Sequence, residues 1–257
     1  MLKAHWKLEW NARRYWFLAT FSGWLICLLA GVIYKLVKGY SVQLVIESGS
    51  SVATFTSGDE FLSSLFSIIG GSWLIIWLLI FVAAPSIGVY DEKRYLFFQT
   101  ETPIWKILVN KLIVALVEVT ILTAGFLFFT LLLAAIGNAE LSFLIVLKII
   151  GETFIGSWLV TMSFVCIVIV ATALSMIPIN GYRFGFIAAI IYFLLINGAQ
   201  THIGSSWLPE LGPEIQFNYS IGLEFQFSIL VFIFNLLFGV FLLFIATKIL
   251  NKSADLQ

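Results

Sequence analysis

Six stretches of this chain run for about twenty residues or more without a charged side chain: 15–34, 61–90, 119–139, 153–182, 184–209 and 225–247. A helix needs ~20 mostly apolar residues to cross ~30 Å of hydrocarbon. Each run therefore reads as a membrane crossing, and surplus length must tilt, bend or lie at the interface. Composition agrees, with 61% hydrophobic and 11% charged residues against roughly 45–50% and about 25% in soluble domains. That leaves too little polar surface to cover a water-soluble globule, which excludes a soluble enzyme, a nucleic-acid binder and a disordered chain. The runs do not alternate polar and apolar residues, so a transmembrane barrel is disfavoured. The first run is longer than the core of a cleaved signal peptide and lacks a clear small-residue cleavage signature.

The expected fold is an all-α membrane protein, a single transmembrane domain over 1–257. Its spans fall near 15–37, 61–89, 112–136, 153–177, 184–200 and 226–248. Orientation follows from Lys and Arg, which concentrate on the cytoplasmic side. With the N-terminus inside, eleven of the fourteen basic residues are cytoplasmic: Lys3, Lys7, Arg13, Arg14, Lys93, Arg94, Lys106, Lys111, Arg183, Lys248 and Lys252. Only Lys35, Lys38 and Lys148 fall outside. Six spans return the C-terminus to the cytoplasm, as expected for a multi-pass protein of a bacterial cell membrane. The net charge of zero hides this asymmetry, because Glu47, Asp59, Glu60, Glu140, Glu152, Glu210, Glu214 and Glu224 lie in the outer segments.

Between the spans, residues 1–14 place Leu2, Trp6 and Trp10 on one helical face beside Lys3, Lys7 and Arg14. That pattern predicts an amphipathic helix lying on the inner leaflet. The outer loop 38–60 is too short for a folded domain. Residues 143–152 read as an interfacial helix before the fourth span. Gly198, Gly204, Pro209, Gly212, Pro213 and Gly222 interrupt a still-apolar stretch. It is expected to be broken and can dip into the outer leaflet where protein or water satisfies its backbone.

The most informative segment is 91–111, the main cytoplasmic loop. It opens with Asp91, Glu92, Lys93 and Arg94, continues through Leu96, Phe97 and Phe98, and reaches Thr102-Pro103 before Lys106 and Lys111. Proline disfavours helix at the preceding residue, so the loop divides there. Bulky apolar side chains on a charged loop call for a hydrophobic slot in another protein.

This loop resembles the conserved cytoplasmic loop of type-2 ATP-binding-cassette (ABC) permeases. There Glu-x-Gly-Thr-Leu-x-x-Leu-Leu-x-Thr-Pro precedes a basic residue and a Lys that opens the next span. Glu92, Leu96, Thr102, Pro103, Lys106 and Lys111 fall in matching register. Arg94 stands where the family has Gly, and Gln99-Thr100 where it has paired Leu. The resemblance implies a permease half of an exporter for an amphipathic or hydrophobic peptide, toxin or drug. Two ATPase subunits would dock on the coupling loop 91–106 through Asp91, Glu92, Lys93, Arg94, Leu96, Phe97, Phe98, Thr102, Pro103 and Lys106. A second permease subunit, the same chain or a paralogue, would complete the path. ATP and Mg would belong to the ATPase, because this chain lacks the G-x-x-x-x-G-K-[S/T] phosphate cradle.

Glu118 is the one ionisable group deep in the third span. A carboxylate there costs ~2.5 kcal/mol or more on insertion scales, so it should face the bundle or a wet path. Lys111 lies seven residues earlier on nearly the same face. Neither His5 nor His202 has a neighbouring ligand, so no metal site is expected. Cys27 and Cys166 read as buried thiols. Gly70-Gly71 and Gly151/Gly156 are candidates for close helix approach. An intramembrane enzyme would need a nucleophile and base, or paired acids, at one depth. Asp59, Asp91 and Asp255 all lie outside the spans, so no catalytic residue is expected. An ion-coupled secondary transporter is the alternative, although internal repeats are not evident.

Overall fold

In a computed structural model the chain is described over residues 2–39, 43–46, 53–56, 60–86, 103–137, 143–175, 185–206, 214–219 and 223–254. Six helices dominate: α1 (Leu2–Lys38), α2 (Glu60–Ser86), α3 (Ile104–Ile136), α4 (Phe143–Ser175), α5 (Gly185–Ser206) and α6 (Ile229–Ala254). Five contain stretches long and apolar enough to cross a membrane, and α5 carries a shorter one, Ile187–Ile203. The chain is thus a multi-pass α-helical membrane protein.

Two antiparallel hairpins join helices. β1 (Gln43–Ile46) pairs with β2 (Ala53–Thr56) between α1 and α2. β3 (Glu214–Tyr219) pairs with β4 (Leu223–Ser228) between α5 and α6.

The helix boundaries follow from local chemistry. Lys35 and Lys38 occupy the last turn of α1, where cations suit the negative end of the helix dipole. Gly39 then adopts φ 63° and its N–H donates to the Lys35 carbonyl at 2.9 Å, the left-handed cap that glycine accepts without strain. Pro103 immediately precedes α3, and the Lys106 N–H donates to its carbonyl at 2.9 Å. A proline costs nothing there, since the first amides of a helix have no intrahelical acceptor.

Several expected boundaries are corrected. Residues 2–14 are not a separate interfacial helix, because α1 runs unbroken into the first span. No proline interrupts it, and the burial of Arg13 (below) fastens the junction. Residues 143–152 likewise continue into α4. The third helix begins at Ile104, directly after the Thr102-Pro103 break, so Lys106 and Lys111 are helical ahead of the expected span 112–136. Gly198 and Gly204 lie within a continuous helix and do not break it. α5 continues to Ser206, and a hairpin follows.

Contacts fix the helix directions. The Tyr34 and Phe61 rings meet, tilted, with centroids 4.6 Å apart, and Trp24 Nε1 donates to Ser72 Oγ at 2.7 Å, so α1 and α2 are antiparallel. The Lys35 ammonium donates to the Ile136 carbonyl, and Trp24 meets Phe129 at 5.8 Å, so α1 and α3 are parallel. Trp158 Nε1 donates to Thr120 Oγ1 at 2.9 Å and turns α4 back against α3. Both hairpins consequently lie at one end of the bundle, where β2 touches β3. The ends of α2 and α3 that flank 87–102 lie at the other.

α3 and α4 form the centre: α3 packs against α1, α2, α4 and α6, and α4 against α2, α3, α5 and α6. Between them sits an aromatic column in which Trp73 stacks on Trp77 at 4.9 Å and on Phe126 at 5.0 Å. Lipid tails are as apolar as these side chains, so the column gains from packing rather than from escape from water. Gly125 lets α1 side chains press against the α3 backbone. A Cβ there would collide with the Phe21 ring and press on Trp24. Gly71 and Gly151, expected as close-approach sites, have open space instead. Large apolar residues cover the outside, including Ile26, Ile33, Leu195, Leu237 and Phe244. Such a surface would be a liability in water and suits hydrocarbon.

Candidate functional site

The buried face of α1 carries Phe17, Thr20, Trp24 and Leu28 at helical spacing. Extending that stripe back one turn reaches Arg13, which is 0% exposed. The next residue, Arg14, lies off the stripe and donates to the Tyr15 hydroxyl at 3.0 Å near the surface. Opposite Arg13 stands Glu118 of α3, also 0% exposed. Arg13 Nε and Glu118 Oε1 are 3.0 Å apart. The contact is an ion pair in distance rather than an aligned hydrogen bond.

Depth follows from helix rise. From Arg13 to Lys35 α1 climbs about 33 Å, and from Glu118 to Ile136 α3 climbs about 27 Å, at 1.5 Å per residue. Lys35 and Ile136 touch at the hairpin end. The pair therefore lies near the opposite edge of a ~30 Å hydrocarbon layer, not at its middle. Lys111 and Asn110, about two turns nearer the start of α3, are buried as well.

A guanidinium does not lose its proton in a protein. Buried alone it would be costly, and the Glu118 carboxylate beside it offsets that cost. Replacing such a pair with matched apolar residues is often neutral or stabilising, so its presence is weak evidence of stability; what the contact shows is that α1 and α3 meet at this register. It fastens α1 to the helix that begins directly after the 91–103 segment.

One turn above, hydroxyls continue the polar seam. Thr123 Oγ1 donates to Ser157 Oγ at 3.4 Å, and Trp77 Nε1 to Thr161 Oγ1 at 3.0 Å. These bonds tie α3 to α4 and α2 to α4.

Of the residues expected to couple to an ATPase, Asp91, Glu92, Lys93, Arg94, Leu96, Phe97, Phe98 and Thr102 lie outside the described residues. Pro103 and Lys106 are described and exposed at the start of α3. The Lys106 ammonium stands 5.6 Å from the centroid of the exposed Trp105 ring. Glu118, expected deep in the third span, is buried in the bundle but near the edge of that span. Its partner Arg13, expected on the inner membrane surface, is buried there too. Comparison of the chain with protein families, curated proteins and solved structures finds no match.

Proposed function

We propose that this chain is the permease subunit of an ATP-driven exporter, moved by a separate ATPase that grips residues 91–106. Six helices cross the cell membrane with both termini cytoplasmic, in accord with the distribution of basic residues. One observation carries the reading. The helix that starts at Ile104, just after Pro103, is a central one, packed against α1, α2, α4 and α6 and ion-paired to α1. Force applied at the loop would thus enter the middle of the bundle as a rigid-body motion.

Two ATPase copies supply ATP and Mg, and a second permease subunit, identical or paralogous, completes the path. An apolar bundle without a large outer domain suits amphipathic peptides, toxins or drugs. The test is co-expression with an ATPase encoded beside this chain, co-purification, and ATP-dependent uptake into inverted vesicles. Replacing Phe97 and Phe98 with Asp should abolish uptake while membrane insertion persists. Undiminished uptake in that variant would refute the assignment. The buried Glu118 favours one other reading, an ion-coupled transporter. Uptake that survives a protonophore but requires ATP excludes it.

A further inference from the structure

α5 is the least embedded helix. From Ile187 to Ile203, Gln200 is the one buried residue. Ile187, Ile191, Leu194 and Leu195 are exposed by half or more. α5 packs against α4 and makes only slight contact with α6. Its inner stripe is Phe193, Ile196 and Gln200, the first of which meets Phe164 of α4 at a centroid distance of 5.9 Å.

Gln200 donates from Nε2 to Ser163 Oγ of α4 at 2.8 Å and to Asn235 Oδ1 of α6 at 2.6 Å. The carboxamide thus bridges the α5–α6 seam over α4. Its Oε1 is fully buried and receives no hydrogen bond from the described residues. Two opposed effects meet in one side chain. The Nε2 bonds hold the seam shut, and the bare acceptor penalises the shut state. Gln200 lies three residues from the hairpin end of the apolar stretch, where an opened seam would offer Oε1 water.

We propose that Gln200 is the latch of a lateral gate between α5 and α6: breaking its bond to Asn235 lets α5 swing away and opens the seam to the bilayer, with Ser163 at its floor. The balance of bonds against the bare oxygen keeps open and shut states close in free energy, as a gate requires. An apolar molecule dissolved in the bilayer would enter or leave by that route. This use rests on the transport reading; the motion does not.

The test uses the full chain in lipid nanodiscs, with Cys27 and Cys166 replaced by Ala and spin labels on cysteines at the exposed positions Leu195 and Val240. Pulsed electron resonance reads the distance across the seam. Gln200→Leu, which removes two interhelical hydrogen bonds, should enlarge the long-distance population by about tenfold, and Asn235→Leu, which removes one, by about threefold. Identical distributions in wild type and both variants would overturn the proposal. Hydrogen exchange on the unmutated chain gives a check that no folding defect can confuse. Amides of 187–203 should exchange faster than those of 149–175, and equal protection overturns the gate. Neither measurement involves ATP or a partner, so failure of the gate and failure of the transport reading remain separate results.

Discussion

Glu118→Leu is the most informative single perturbation. It leaves the Arg13 guanidinium at 0% exposure without the carboxylate that stands 3.0 Å away. Removing one member of a buried pair costs roughly 3–5 kcal/mol, because the remaining charge is stranded. Total stabilities lie near 5–15 kcal/mol, so the loss is a large fraction of what holds the bundle together. Arg13→Met should cost a similar amount for the mirror reason. The double variant Arg13→Met/Glu118→Leu should cost less than the sum of the two single variants, since apolar replacement of a buried pair is often neutral or better. Glu118→Gln retains an acceptor for the guanidinium and should fall between. Unfolding in mixed micelles followed by tryptophan fluorescence can measure all four, because Trp24, Trp73 and Trp77 are buried reporters. The signature is non-additivity: two costly single variants and a double that costs less than their sum. Single costs below about 1 kcal/mol that simply add would show that the pair is not shielded, and would remove the basis for a specific α1–α3 register.

Gly125→Ala should destabilise by roughly 1–3 kcal/mol through overpacking, because its Cβ meets Phe21. Adding Phe21→Ala should recover much of that, whereas Gly71→Ala should leave the same unfolding measurement nearly unchanged. A cysteine at Gly39 should react with an impermeant maleimide on intact cells, and one at Lys106 only after permeabilisation; the reverse pattern would invert the orientation drawn from the basic residues.

The six apolar helices were legible because a charge-free run of sufficient length has few alternatives in a membrane. The ends were harder. Residues 2–14 carry an amphipathic pattern that suits a surface helix when read alone. What turns the segment into the foot of a spanning helix is Glu118, 105 positions away, and no local period contains that pairing. The clue was present in register: Arg13 continues the stripe of Phe17, Thr20, Trp24 and Leu28, whereas Arg14 does not. Gln200 was hidden differently, at the limit of an apolar run, where a polar residue ordinarily marks the membrane edge. The second hairpin was written as alternation in EIQFNY and LEFQFS. Its register sets Ile215 opposite Phe227 and Phe217 opposite Phe225, while the glycines and prolines around it suggested only interruption.

These features make α1 and α3 one mechanical unit. Two parallel helices joined at a single point could pivot about it. Here the Lys35 ammonium holds the Ile136 carbonyl at the hairpin end, and Arg13 holds Glu118 near the other. Between the clamps Gly125 admits the Phe21 ring against the α3 backbone. Scissoring would have to break a buried ion pair, and sliding would have to drive Phe21 across the neighbouring turns of α3. The cheaper motion carries both helices together. α5 packs chiefly on one neighbour, α4, and among the described residues its side-chain hydrogen bonds to other helices are those of Gln200. Relative movement within the bundle is therefore expected at the α5 side, with α1 and α3 as the frame against which it is measured.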